Sequence, residues 1–290
     1  MYTFETNHIT IGWYKLVDSV KNMILEHYNT SEYDDTLFLV NTWFVANENP
    51  KYYTGIIGKH KRVIYYNLEH SLLNTDTTKE DNRILDKLVN VFGVNEIWEI
   101  EYNSNFSKLA KSKYNIPVKY KPMRYTSLIK QIEDISTTPK SCDFTFIGTI
   151  VTDYRVNFMK KVNGYFWNLP EKDIKSFKFI SGMLNISKSI PEMNTSKYVL
   201  DVKRFDDIIC PNQVRIFELL CMGYTVCVEK CPINMFPGLV YEWENINDLL
   251  KICNKNEYIN PIEAYKEMTY SNEAYEKYVN NLIEQWNTLG

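Results

Sequence analysis

The sequence predicts an α/β protein of two parallel-sheet units facing each other across a cleft. Three observations predict it. Strand-like and helix-like stretches alternate through the first half, a stretch of turn-forming residues interrupts them, and the alternation then restarts. At 290 residues the chain exceeds the usual single domain. Residues 1–135 are the expected first domain, 140–265 the second, and 266–290 a C-terminal helix expected to cross back to the first.

In the first half, "HITIGWY" reads as a strand. "KLVDSVKNMILEHY" carries Leu16, Val17, Val20, Met23 and Ile24 at helical period. "DTLFLVNTWFV" and "RVIYYNLEH" are apolar, β-branched and aromatic runs suited to buried strands. "KEDNRILDKLVNVFG" is helical, with Gly93 as its stop. "NEIWEIEY" reads as a strand, "SNFSKLAKSKYN" as a short helix and "IPVKYKPM" as a strand. "LIKQIEDISTTPKS", Leu128 to Ser141, is the expected linker. Beyond it come the strand "CDFTFIG", a helix "DYRVNFMKKVNG" expected to close at Gly164, and the strands "SFKFISG" and "SKYVLDV". The helix "NQVRIFELLCMG" runs into the strand "YTVCVEK", "NINDLLKIC" is helical, and an amphipathic helix ends the chain.

Composition narrows the function. The net charge of −3 argues against a dedicated non-specific nucleic-acid binder. The six cysteines (Cys142, Cys210, Cys221, Cys227, Cys231 and Cys253) show no C-x-x-C spacing, and the four histidines have no ligand-type spacing with them. Core thiols in a reducing compartment are therefore expected, and no metal site. No apolar run reaches the length of a membrane span, and the N-terminus has no signal-peptide pattern, so a cytoplasmic location is expected. No G-x-G-x-x-G follows the first strand, which disfavours a dinucleotide enzyme.

Two stretches of the second half carry chemistry. In "DFTFIGTIVTDYR", Gly148 ends a strand and leaves room for a ligand against the backbone. Thr152 or Asp153 caps the next helix, whose free amides suit a phosphate. Arg155 falls in that helix's first turn, where a cation opposes the helix dipole and needs an outside partner. In "NQVRIFELLCMGYTVCVEK", Arg215 and Glu218 stand three apart on one helix face, and Gly223 can take the left-handed cap. Alone, that pair also reads as an ordinary intrahelical ion pair.

Together, "FIG…R" followed by "R-x-x-E-x-x-x-x-G-x-x-V" (Arg215, Glu218, Gly223, Val226) resembles the donor half of GT-B-fold glycosyltransferases, over roughly residues 60–250. The resemblance implies two Rossmann-like domains and a nucleotide-diphosphate sugar donor, a UDP-sugar, with no cofactor and no metal. It implies a donor set of Gly148, Thr149, Arg155, Asn212, Arg215 and Glu218, with Glu218 on the ribose hydroxyls. Retaining members of a Glu-x₇-Glu type carry a second acid where this chain has Cys210, and no Asp-x-Asp occurs.

On the acceptor side, Glu69 and His70 follow "RVIYYNL" and are the candidate bases, with His60 beside them and His8 and Gly12 as further cleft residues. From Ser104 to Lys130 there are seven cations and no acid. Lys119, Lys121 and Arg124 of that run are candidate DNA contacts, although a solvated face explains the run as well. Two acceptor classes follow: a glycan, lipid or protein, or a hydroxymethylated base in viral DNA. The rich use of Asn, Ile, Lys and Tyr fits an AT-rich viral or bacterial genome. A non-catalytic nucleotide-sugar-binding protein of the same fold is the alternative.

Overall fold

A computed structural model describes residues 2–6, 8–13, 18–40, 58–69, 76–133, 135–148, 152–166, 177–181, 186–255 and 260–289. His70 and Thr149 lie outside the described residues. The chain divides into two compact units: Met1–Leu128 with Glu276–Thr288, and Ile129–Tyr275.

The first unit contains β1 (Tyr2–Glu5), β2 (Ile9–Trp13), α1 (Asp18–Tyr28), β3 (Thr36–Val40), β4 (Arg62–Asn67), α2 (Thr78–Asn90), β5 (Glu96–Glu99), α3 (Asn105–Tyr114) and β6 (Val118–Tyr120). Its sheet runs β1-β2-β3-β4-β5-β6. The pairs from β2 to β6 are parallel, and only β1, an element the sequence pattern does not announce, is antiparallel. Every residue of β3 and β5 is buried, as expected of parallel strands covered on both faces.

Alternation along the strands then sorts two cores. Leu37, Leu39, Val63, Tyr65 and Ile97 pack with Leu85 and Leu88 of α2 and Phe106 of α3. On the other face Trp98 meets Tyr28 at 4.6 Å, Phe38 at 5.0 Å and Tyr66 at 5.7 Å between ring centroids, all edge to face. Ser104 caps α3 by accepting from the Ser107 amide, and Asn115 closes it in the left-handed conformation.

The second unit contains β7 (Cys142–Gly148), α4 (Asp153–Phe166), β8 (Phe177–Ser181), α5 (Ile186–Asn194), β9 (Ser196–Asp201), α6 (Gln213–Met222), β10 (Val226–Glu229), β11 (Tyr241–Trp243), α7 (Ile246–Lys255) and α8 (Ile262–Thr269). Its sheet order is β11-β10-β9-β7-β8, parallel throughout. From β7 the chain steps to β8 on one side and returns to β9 on the other, so the order reverses between β7 and β9. In an open parallel sheet, the crevice beyond the strands' carboxyl ends at such a reversal is the place for a ligand. The final helix is α9 (Asn272–Leu289); its Glu276–Thr288 belongs to the first unit, within which the Trp286 indole N–H donates to the Tyr120 hydroxyl at 3.3 Å.

One expectation is corrected. Helix α4 runs through Gly164 to Phe166; an interior glycine weakens a helix by about 1 kcal/mol without ending it. The segment that follows Leu128, where the second unit begins, is packed into that unit. Ile129 and Ile135 are buried, the Ile132 amide bonds Met222 O at 3.0 Å, and Lys140 Nζ donates to Asn194 O at 2.9 Å. All six cysteines are buried, and none of them forms a disulfide.

Helix α6 ends at Gly223 with φ +96°, and a Cβ there would sit 3.1 Å from the Ile262 side chain of α8. Gly223→Ala is therefore expected to lower stability by roughly 1–3 kcal/mol, read as a lower urea midpoint at unchanged slope.

Candidate functional site

At the carboxyl edge of the second sheet, β7 pairs β9 with Phe146 opposite Leu200. Continuing this register sets Gly148 level with Val202. Gly148 itself pairs with Ser181 of β8, and the chain re-enters the described structure at Thr152, just ahead of α4.

Arg155, in the first turn of α4, has its outside partner in the backbone. It is 4% exposed. Its Nε donates to Val202 O at 3.2 Å and Lys203 O at 3.1 Å, and its Nη2 to Val202 O at 2.7 Å. The guanidinium lies over the Phe146 ring at 5.2 Å. Burial pushes its pKa down to about 10, with Asp201 acting against the shift and Arg215 and Arg204 adding to it. These bonds stitch α4 to the end of β9 and make Arg155 a shaping group of the edge.

Helix α6 rises from the same edge. Its cap is Asn212, whose Oδ1 accepts from the Arg215 amide at 3.1 Å, so that oxygen is committed to the helix. Of the ten residues of α6 only Val214, Arg215 and Glu218 are not buried. Arg215 Nη1 lies 3.3 Å from Asp201 Oδ1 at the end of β9. Thus Gly148, Arg155 and Arg215 converge on the ends of β7 and β9, with Glu218 half-buried one turn along the helix. Cys210, where the second acid would stand, is fully buried and accepts from Gln213 Nε2 at 3.6 Å.

Two acids of this edge escape sequence reading. Asp201 and Glu229 each end an apolar strand, and a terminal acid reads there as simple solvation. Both are buried, at 3% and 6% exposed. Glu229 Oε2 accepts from the Lys203 amide at 2.8 Å, and Tyr154 OH donates to its other oxygen. Burial raises its pKa. Beside this pair a cavity of about 460 Å³ is lined by Tyr154, Asn157, Phe158, Glu229, Trp243 and Asn245, among others. The Phe158 and Trp243 rings stand 5.1 Å apart, and the buried Trp243 indole N–H has no hydrogen-bond partner among the described residues.

In the first unit Glu69 follows β4 at its carboxyl end and is exposed; its amide donates to Asn67 Oδ1 at 3.3 Å. Glu99, ending β5, is 1% exposed. Burial lifts its pKa to about 8, against the pull of hydrogen bonds from Asn67 and Ser104. His60 and His8 precede β4 and β2, at the amino edge of the same sheet, beside Asp35 (3.3 Å) and Asp34 (2.5 Å). That opposite edge separates them from Glu69. Gly12 is buried within β2.

Of the seven cations of the basic run, five are exposed, Lys121 is half-buried and Arg124 is buried. Arg124 is 1% exposed, which corrects its reading as a surface contact. Lys121 lies over Tyr28 at 5.5 Å and Trp98 at 5.6 Å, and burial lowers its pKa. Lys119 pairs with Glu96 at 3.0 Å, a carboxylate that also holds Arg62 at 2.6 Å. Among the described residues no cluster of His, Cys, Asp and Glu could hold a metal ion, and no helix is long and apolar enough to cross a membrane.

No protein-family model and no curated protein matches the chain. Among solved structures it is similar to a T4 phage BGT in complex with UDP and Mn²⁺, at 14% identity over 89% of this chain and 82% of that one, TM-score 0.47. A second T4 phage β-glucosyltransferase structure shows 12% identity over 91% and 83%, TM-score 0.47. An accessory secretory protein 1, 2 and 3 structure from Streptococcus pneumoniae shows 8% over 93% and 53%, TM-score 0.37.

Because Glu99 binds its proton more tightly folded than unfolded, its contribution to stability is full below about pH 4.5 and is lost as pH rises through about 8. The slope from this one group is at most about 1.4 kcal/mol per pH unit. Glu99→Gln is expected to lose less stability than the wild type between pH 5 and 8, measured by urea unfolding at both values.

Proposed function

We propose that the protein is a glycosyltransferase that moves a sugar from a UDP-sugar to an acceptor hydroxyl. The observation that carries this reading is the meeting of a bare glycine strand end, a helix N-terminus and the Arg215/Glu218 face of α6 at one sheet reversal. That combination suits a pyrophosphate with a ribose attached. The order of these motifs in the sequence, resembling the donor half of GT-B enzymes, supports the same reading.

In this mechanism the bond between the sugar's anomeric carbon and the β-phosphate oxygen breaks as the acceptor oxygen bonds that carbon. Negative charge grows on the leaving UDP. The amides at the start of α4 and the partly open guanidinium of Arg215 stabilise it, so no metal is assigned. Arg155 holds the edge in shape from beneath, and Glu218 accepts hydrogen bonds from the ribose hydroxyls. The cavity beside Tyr154 and Glu229 has the size to seat one ring of the donor. The second unit is thus assigned the donor and the first the acceptor. Glu69, a carboxylate at an open strand end, takes the proton of the attacking hydroxyl.

A thermal-shift panel of nucleotide sugars is expected to show stabilisation by a UDP-sugar and by UDP. Arg215→Ala and Glu218→Ala should each weaken UDP binding by about 1–3 kcal/mol, the usual loss for a charge-assisted hydrogen bond. UDP affinity unchanged in both variants would reject the donor assignment. Stabilisation without UDP release in the presence of any acceptor would instead mark a binding protein.

The acceptor divides on salt dependence. Retention on DNA carrying hydroxymethylated bases that falls steeply with salt selects the DNA acceptor. No retention at low salt selects a glycan, lipid or protein.

A further inference from the structure

The carboxyl ends of β4 and β5 are joined by a buried polar network that the proposed chemistry leaves unused. Asn67 and Glu99 are direct cross-strand partners in the sheet register. Asn67 Nδ2 donates to Glu99 Oε1 at 3.0 Å, and Ser104 Oγ donates to Glu99 Oε2 at 2.9 Å. Ser104 Oγ in turn accepts from the Ser107 amide at 3.0 Å, the cap of α3. Asn67 Oδ1 accepts from the Glu69 amide. The orientation of the Asn67 amide follows from chemistry: turned over, it would set oxygen against oxygen at Glu99 and N–H against N–H at Glu69. Exposures of 5% for Asn67, 1% for Glu99 and 9% for Ser104 keep water from competing for these bonds.

We propose that Glu99, Asn67 and Ser104 are positioning residues that fix the turn carrying Glu69. The inference rests on the assignment of Glu69 as the group that takes the acceptor's proton. Glu69 stands two residues beyond its strand, where the sheet ladder no longer holds the chain. The Asn67 side chain extends that hold by one amide, and Glu99 holds Asn67. Glu99 is anchored at a second point, because its carbonyl accepts from the Lys121 amide at 2.7 Å. The network ties the Glu69 turn to the start of α3 and to the segment after β6. A general base needs its carboxylate within hydrogen-bond reach of the proton it takes. Supporting hydrogen bonds are how a scaffold holds such a group in place.

The test uses the full chain and two readouts. Amide hydrogen exchange at Glu69 reports the turn, with Tyr65 in mid-strand as the check that each variant is folded. Asn67→Ala and Glu99→Ala are expected to speed Glu69 exchange by about tenfold or more while Tyr65 stays protected. Glu99→Gln, which can accept from Asn67 and donate to Ser104, should stay within about threefold of wild type. The second readout is UDP release from the UDP-sugar that gives the largest thermal shift. The alanine variants should lose about tenfold or more in kcat with donor KM unchanged, and Glu99→Gln should restore kcat.

Unchanged Glu69 exchange in both alanine variants overturns the proposal, as does faster exchange with kcat intact. A wild-type protein that neither binds nor turns over a UDP-sugar overturns the function proposed above. The exchange measurement still decides the network in that case, faster exchange supporting it and unchanged exchange overturning it.

Discussion

A guanidinium buried among backbone carbonyls sets the form of the second unit's carboxyl edge. Burying a charge is costly unless it is hydrogen-bonded and faced by opposite charge. Arg155 meets both conditions: the carbonyls of Val202 and Lys203 take its N–H groups, and Asp201 and Glu229 act on it from the ends of β9 and β10. The same two acids reach further, Asp201 to Arg215 and Glu229 to the Lys203 amide and Tyr154. Helix α4, strands β9 and β10 and helix α6 are therefore held at one end by a connected set of charges. Removing any member would leave a buried partner uncompensated. This explains how a cation can sit in the first turn of a helix against the helix dipole.

The first unit handles its carboxyl edge with the opposite chemistry. There the buried groups at the ends of β4 and β5 are Asn67 and Glu99, tied by neutral hydrogen-bond donors, and burial favours the protonated form of Glu99. The same parallel-sheet architecture thus presents two electrostatic characters, determined by the few residues that end each strand.

Most of the framework was legible because its signals are local. Strands β3, β4, β7, β9 and β10 are short stretches rich in β-branched, aromatic and other apolar residues, and α6 has both a cap residue, Asn212, and a stop, Gly223. The elements that escaped are weak for identifiable reasons. β1 and β11 are short edge strands, and α5 contains Pro191, a residue that argues against a helix interior. In the candidate site, Gly148, Arg155, Arg215 and Glu218 could be picked out from spacing and from the awkward place of a cation. Asp201 and Glu229 could not, because their burial depends on side chains arriving from α4, α6 and the loop after β9. Asn67 and Glu99 escaped similarly: each looks like the polar end of a strand until the register places them opposite one another.

The basic run between Ser104 and Lys130 shows how far a charge pattern can mislead. In sequence it has no acid, yet in the fold β6 lies beside β5, and Glu96 of β5 meets Lys119 while also holding Arg62. Lys121 turns onto the Tyr28 and Trp98 rings, where a long aliphatic stem and a cation both find favourable contact. Arg124 is enclosed altogether. Counting charges along the chain therefore overstates the positive surface, since neutralising partners come from strands tens of residues away. Of that run, Lys108, Lys111 and Lys113 on α3, Lys119 on β6 and Lys130 stand exposed, Lys113 beside Asp86 and Lys119 beside Glu96. With two of these five ammonium groups facing a carboxylate, the electrostatic footprint is shallower than the charge count along the chain, because affinity for a phosphate backbone grows with the number of contacts made together.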